Sequence, residues 1–174
     1  MARNIEIKAR LANRATVEAA TAALANGPGE LIRQDDTFFA CPKGRLKLRE
    51  FAAGHGELIF YQRSDATGPK ASRYDIAATD EPAALRRVLG QALGAAGRVR
   101  KERTLYVIGR TRVHLDRVEG LGDFVELEVV LTEGEAEAAG LAEARRLMAS
   151  LGIDETALIA GAYVDLLAAS PPNT

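Results

Sequence analysis

Asn4-Ile5-Glu6-Ile7-Lys8 alternates strictly, with Ile5 and Ile7 on one side and Asn4, Glu6, Lys8 and then Arg10 on the other. Successive side chains of a β-strand point to opposite faces, so this stretch is one strand with an apolar face and a charged face. A lone surface strand reads the same way. Repetition sets this chain apart. Leu46-Lys47-Leu48-Arg49, Arg112-Val113-His114-Leu115-Asp116 and Val125-Glu126-Leu127-Glu128-Val129 alternate likewise. Across these stretches ionic residues of both signs recur at spacing two, with Val, Ile or Leu between them.

Composition narrows what such strands serve. A chain of 174 residues is long enough for one domain with a real core, read here as residues 1–170 with 171–174 as a C-terminal tail. The net charge of −1 gives no global pull toward nucleic acid or membrane, so an anion site must come from local arrangement. A single cysteine, Cys41, excludes an internal disulfide framework and a cysteine-rich zinc site. His55 and His114 are the only histidines, too few for a His-built zinc site. No leader and no apolar run near the ~20 residues of a membrane span is visible, so the expected setting is cytoplasmic.

Working outward from strand one (about Arg3 to Leu11), Asn13 caps a helix with Val17, Ala20 and Leu24 on its apolar stripe. Strands follow near Ile32 to Ala40, Arg45 to Phe51, Glu57 to Arg63 and Ser72 to Ala77, with Pro42 and Gly44 supplying a hairpin turn. Thr79 or Asp80 is expected to cap a helix whose Leu85, Val88, Leu89, Ala92 and Leu93 cover a core. Three more strands run over Arg98 to Ile108, Thr111 to Arg117 and Phe124 to Leu131. Thr132 with Glu135 reads as a capping box for a helix burying Leu141, Ala144, Met148 and Leu151, and Asp154 as the cap of a last helix bearing Tyr163.

The sum is about eight mostly hairpin-linked strands and four helices, an α+β chain. So many antiparallel strands must manage their edges, and closure into a β-barrel abolishes them. The helices' apolar stripes need a partner, and the strands' Ile, Val and Leu faces are the one available. Helices packed outside would leave the charged faces lining the lumen. An α+β sandwich with its charges in solvent is the competing architecture, since buried charges must be paired or solvated.

Strand parity then gives the lumen's inventory. Lys8, Lys47, Arg49, Arg63, Lys101, Arg103 and Arg112 outnumber Glu6, Asp116, Glu126 and Glu128. Guanidinium forks and lysines match a polyphosphate. The carboxylates would repel phosphate unless they hold a divalent metal, and oxygen ligation points to Mg²⁺ or Mn²⁺. A triphosphate with metal uses both halves of the set.

Asn4-Ile5-Glu6-Ile7-Lys8 resembles the Glu-x-Glu-x-Lys signature of the CYTH domain, or triphosphate tunnel metalloenzyme, superfamily, which includes class IV adenylyl cyclases, thiamine triphosphatases and inorganic triphosphatases. The likeness continues in order through Asp36-Thr37-Phe38-Phe39, Leu46-Lys47-Leu48-Arg49-Glu50, Leu58-Ile59-Phe60-Tyr61-Gln62-Arg63 and Val99-Arg100-Lys101-Glu102-Arg103. It closes with His114-Leu115-Asp116, Leu121-Gly122-Asp123-Phe124-Val125-Glu126-Leu127-Glu128 and Ala162-Tyr163-Val164-Asp165-Leu166-Leu167, in the style of the class IV adenylyl-cyclase-like branch. The resemblance implies an eight-stranded antiparallel barrel forming a triphosphate tunnel, with Glu6, Glu126 and Glu128 as metal ligands and Asp116 as a fourth ligand or a group just behind them. It implies a phosphate clamp of Lys8, Lys47, Arg49, Arg63, Lys101, Arg103 and Arg112, with Lys70 and Arg73 as outlying candidates. Catalytic work falls to Glu6, Lys8, Lys101, Glu126 and Glu128. His114, of the same parity, reads as a hydrogen-bonded lumen residue.

Asn4 stands where the signature has its first glutamate. An amide oxygen ligates Mg²⁺ without bringing charge, so metal affinity is expected to fall and a second metal is in doubt. The implied substrate is a small-molecule triphosphate: ATP, tripolyphosphate or thiamine triphosphate. Cyclisation, hydrolysis and non-catalytic triphosphate binding all stay open, as does a homodimer; nucleic acid and membrane are not expected partners.

Overall fold

The structure, a computed structural model, describes residues 2–64 and 67–170. The expected tail, 171–174, lies outside the described residues. Eight strands appear: β1 (Ala2–Arg10), β2 (Glu30–Phe39), β3 (Arg45–Phe51), β4 (Gly56–Arg63), β5 (Lys70–Thr79), β6 (Ala95–Ile108), β7 (Thr111–Val118) and β8 (Gly122–Val130). They close into a barrel in the order β1-β5-β4-β3-β2-β6-β7-β8. Every neighbouring pair is antiparallel. The helices are α1 (Arg14–Leu24), α2 (Pro82–Leu93), α3 (Glu137–Leu151) and α4 (Tyr163–Ala169).

The barrel is inverted, as the alternation predicts. Ile5, Ile7 and Ala9 of β1, Val113 and Leu115 of β7, and Val125, Leu127 and Val129 of β8 form one cluster on the outer face. Val17 of α1 and Ala144, Leu147, Met148 and Leu151 of α3 cover it. Burying each large aliphatic side chain contributes roughly 1.5–3 kcal/mol, so the core lies between wall and helices and the lumen is left to charge. A Cβ at Gly140 would stand 2.7 Å from both Ile5 Cγ1 and Leu131 Cδ2, so only glycine lets α3 sit this close to β1. A second cluster closes one end of the barrel, where Phe38, Val99, Val118 and Phe124 meet Ala162, Tyr163 and Val164 at the start of α4.

Four local expectations are corrected. Val88 is 57% and Leu93 42% exposed, and Pro82 is the one buried residue of α2, so this helix does not cover a core. It packs mainly on β2 and β3, with Arg86 reaching Glu50. Its N-cap is Glu81 without a side-chain bond; the Thr79 hydroxyl accepts from Glu81 N at 3.2 Å. Thr132 does meet the Glu135 carboxylate, at 2.9 and 3.0 Å, but the two close a turn ahead of α3, which is capped by Ala136. Asp154 caps a short 3-10 helix (Glu155–Ala157) rather than α4, whose N-cap, Ala162, donates its amide to Asp165 at 2.8 Å. Asn13 caps α1 as expected, accepting from Thr16 N at 3.2 Å.

Candidate functional site

Register assembles the first wall of the lumen. Glu6 stands opposite Glu128 and Lys8 opposite Glu126 across β1 and β8; beyond β8, Arg112 stands opposite Glu128 and His114 opposite Glu126. Directly opposed residues of an antiparallel pair share a face, so one patch holds carboxylates from two strands beside an imidazole. Each carboxylate has a cationic partner. Arg63 donates to Glu6 at 3.0 Å, Arg103 to Glu126 at 2.8 Å and Arg112 to Glu128 at 2.9 Å, while Lys8 Nζ lies 3.5 Å from Glu126. Burial and then the charges of Glu128 and Glu126 push the Glu6 carboxyl up, with Arg63 pulling the other way. Burial pushes Glu126 up too, but Lys8, His114 and Arg103 outweigh it and hold Glu126 well below the usual carboxylate range.

The opposite wall centres on Asp36, which the parity inventory omitted. Lys47 donates to it at 2.8 Å and Arg49 forks onto it at 2.8 and 2.9 Å. Against the effect of burial, those two charges hold its carboxyl well below the ordinary value. Gln34-Asp35-Asp36-Thr37 is polar on both faces, so its alternation could not be read alone: Asp35 points outward to Arg98 while Asp36 points in. The signal that finds Asp36 is its place opposite Arg49 in the β2–β3 register.

Asp116 stands behind the lining of the cavity. It is fully buried, and Arg103 forks onto it with two 2.7 Å bonds. The Tyr163 hydroxyl donates to it at 2.9 Å and Lys101 Nζ lies 3.4 Å away. Both its oxygens are engaged, and it anchors Arg103. Burial and the Arg103 charge together push the Lys101 ammonium down to about 7.

A divalent cation fits elsewhere. His114, Glu126 and Glu128 each place one ligand atom within 4.8 Å of the others. Four residues that line the lumen carry a buried polar atom with no hydrogen-bond partner among the described residues, Asn4 Oδ1, Gln34 Oε1, Arg63 Nε and His114 Nδ1, and His114 is the one within this group. Crowded carboxylates beside orphaned donor atoms are what a cation would satisfy. Glu6, opposite Glu128, adjoins this group.

The lumen holds a cavity of about 330 Å³. At one end Tyr163 lies across it, its ring centroid 3.9 Å from Lys8 Nζ and 5.0 Å from Lys101 Nζ. Arg63 donates to Gly161 O at 2.8 Å, and Arg45, at the start of β3, forks onto Asp165 at 2.9 and 2.8 Å. β3 ends at the other mouth on Phe51, which stacks on His55 at 4.8 Å. Ile32, Ile76 and Leu105 line the cavity with Phe51. Ile76 is 50% exposed, so this mouth carries apolar surface open to solvent.

The CYTH domain family model matches residues 2–163. This chain belongs to the CYTH domain family. It is 31% identical over 147 residues to the adenylate cyclase CyaB of Aeromonas hydrophila, covering 76% of this chain and 71% of that protein. Its fold is similar to that of PH1012 from Pyrococcus horikoshii OT3, with a TM-score of 0.83 at 21% identity over 94% of this chain and 98% of the other. It is also similar to that of a putative adenylate cyclase from Vibrio parahaemolyticus, with a TM-score of 0.74 at 21% identity over 95% and 98%.

Within this CYTH barrel, Lys8, Lys47, Arg49, Arg63, Lys101, Arg103 and Arg112 all line the cavity together with Glu6, Glu126 and Glu128. Lys70 is buried opposite Glu6, on the inward parity of Ser72. Arg73 falls on the other parity and is exposed on the outer wall, so it leaves the clamp. No helix among the described residues is long and apolar enough to cross a membrane.

Proposed function

We propose that this CYTH chain is a divalent-metal-dependent enzyme acting on a triphosphate that carries an organic group, with conversion of ATP to cyclic AMP and pyrophosphate as its reaction. The observation that carries this reading is the pairing, in one cavity, of a deep cationic wall with an apolar mouth. Arg49, Lys47, Arg103 and Arg112 suit phosphate oxygens, which their guanidinium and ammonium groups bind through charged hydrogen bonds. Ile32, Phe51, Ile76 and Leu105 suit a base or ring, and inorganic tripolyphosphate has nothing to place there. The Aeromonas relative, named as an adenylate cyclase, supports the same choice.

Phosphoryl transfer needs placement and charge neutralisation more than covalent help. In this chain the clamp residues hold the phosphate chain in line and offset its charge, while the wall excludes bulk water. Bound by Glu6, Glu126 and Glu128, Mg²⁺ or Mn²⁺ would supply further neutralisation and Lewis acidity at the attacked phosphorus. Lys101, poised near neutrality, is the group best able to move a proton at the closed end.

That last placement favours one second reading. With the organic group at the apolar mouth, the terminal phosphate lies near Lys101 and Tyr163, which suits hydrolysis of that phosphate. A putative adenylyl cyclase from Hippeastrum, similar in fold at a TM-score of 0.62, is described as having a dominant triphosphatase activity. The test is product analysis with ATP, thiamine triphosphate and tripolyphosphate, each with Mg²⁺ and Mn²⁺. Cyclic AMP with pyrophosphate supports the first reading, and orthophosphate from ATP the second. Tripolyphosphate turned over faster than either organic substrate would overturn the role of the mouth. Binding without any turnover would make the chain a triphosphate-binding module, in line with Asn4. A cytoplasmic setting belongs to the same proposal.

A further inference from the structure

Among the lumen's buried groups, His114 is not part of the cationic clamp. It is 4% exposed, and Nδ1 has no hydrogen-bond partner among the described residues. Nδ1 lies 3.8 Å from Glu126 Oε2 and 3.8 Å from Glu128 Oε1. Those distances are too long for hydrogen bonds, yet within the span that two donors with bonds of about 2.0–2.2 Å to a shared ion can bridge. A buried imidazole nitrogen left unpaired is unfavourable by itself, so the gap marks a missing partner.

The neighbours fix how the oxygens are presented. Arg112 holds Glu128 through Oε2, which leaves Oε1 as the oxygen nearest His114. Arg103 donates at 2.8 Å to Glu126 Oε2, the oxygen nearest Nδ1, and Lys8 Nζ lies 3.5 Å from Oε1, so both hold the carboxylate in place. Partners of this kind orient ligating groups from behind.

We propose that His114 Nδ1 is a direct metal ligand with Glu126 and Glu128, giving this lumen a mixed nitrogen–oxygen seat that selects Mn²⁺ over Mg²⁺. Magnesium holds to oxygen ligands and sheds water reluctantly, whereas imidazole suits the transition metals. Asn4 strengthens the case: with a neutral amide where the family signature has a carboxylate, the seat has less charge to hold a hard ion and gains more from a softer donor. The inference rests on the proposed metal-dependent function but assigns a donor that function does not require.

The test uses the full chain without substrate. Loss of the free Mn²⁺ electron paramagnetic resonance signal on titration measures affinity, and electron spin echo modulation of the bound ion detects a coupled ¹⁴N nucleus. We expect histidine ¹⁴N coupling in the native protein and about tenfold or more weaker binding of Mg²⁺ by competition. His114→Gln should lose the coupling and weaken Mn²⁺ about tenfold, with metal-free tripolyphosphate affinity changed less than twofold. Bound Mn²⁺ without ¹⁴N coupling in the native protein, which needs no variant to fold, overturns the inference and leaves the proposed function standing. Coupling present with no turnover of any triphosphate upholds the inference and overturns the function. No Mn²⁺ binding at all overturns both.

Discussion

Replacing Asp116 by Asn separates a structural anchor from a metal ligand. Asp116 accepts two 2.7 Å bonds from Arg103 and one of 2.9 Å from Tyr163, with Lys101 at 3.4 Å, all in a fully buried setting. Removing one partner of a buried ion pair costs about 3–5 kcal/mol, because the remaining charge stays buried. Asn keeps an acceptor oxygen and Arg103 keeps Glu126, so the lower end, about 3 kcal/mol, is expected. At about 2–4 °C per kcal/mol for a chain of this size, the midpoint should fall roughly 6–12 °C. Denaturant melts with an unchanged m-value would measure the loss, and thermal melts with Mn²⁺ would show the metal-induced rise intact. The sign with pH follows from direction. Against burial, Arg103 and Lys101 hold the Asp116 carboxyl below its ordinary value. Its contribution is therefore present above the unfolded pKa of about 3.9 and lost as pH falls through the folded one, and Asp116→Asn should flatten the acid limb. A loss below about 1 kcal/mol together with disappearance of the metal-induced rise would show that Asp116 is a ligand after all.

Other parts of the molecule give sharp expectations. Lys101 titrates near 7 in the free protein, so binding tripolyphosphate at pH 8 should take up a proton, seen by calorimetry in buffers of differing ionisation enthalpy. Lys101→Met should abolish that uptake; in the free protein the same lysine makes stability rise with pH from about 7 toward the unfolded value near 10.4. Gly97→Ala would set a Cβ 2.4 Å from Val164 Cγ2, and should cost about 1–3 kcal/mol and raise amide exchange in α4 ahead of β1. Asn4→Glu should lower the Mn²⁺ or Mg²⁺ concentration giving half-maximal thermal stabilisation, at raised pH if like-charge repulsion keeps the new carboxyl protonated. No change at any pH would mean that residue 4 does not reach the metal. Val88→Lys, at an exposed position of α2, should alter stability by no more than about 0.5 kcal/mol by denaturant melt.

The inverted barrel was legible because β1, β3, β7 and β8 each carry a full alternation, and three helices needed an apolar wall. Parity fixes which face a side chain joins, and it placed every cation of the first inventory in the cavity. It does not fix register. That Arg103 stands opposite Asp116, and His114 opposite Glu126, depends on how β6, β7 and β8 slide past one another. Parity therefore puts Asp116 and His114 on the inner face without naming the partners that each meets there. β2 fails earlier, since consecutive aspartates leave no period to read. An amphipathic pattern likewise shows that α2 can cover a surface, not that the barrel offers one.

The internal pairing changes what binding must accomplish. A lumen of unpaired cations would repel itself and draw any polyanion in. Here Arg49 and Lys47 are already on Asp36, Arg103 on Asp116 and Glu126, Arg63 on Glu6 and Arg112 on Glu128. A triphosphate therefore exchanges carboxylate partners for phosphate ones, and the net gain is the difference between two charged hydrogen-bond sets rather than the whole of either. The exchange is uneven around the wall. Asp116 is held from behind by Tyr163 and Lys101 and can stay with Arg103, whereas Glu126 and Glu128 are left facing phosphate when their arginines turn away. A divalent cation removes that repulsion, so metal and triphosphate should each tighten the other's binding by the same factor. Coupling of that kind makes the carboxylates part of anion recognition, although they carry the wrong sign for it.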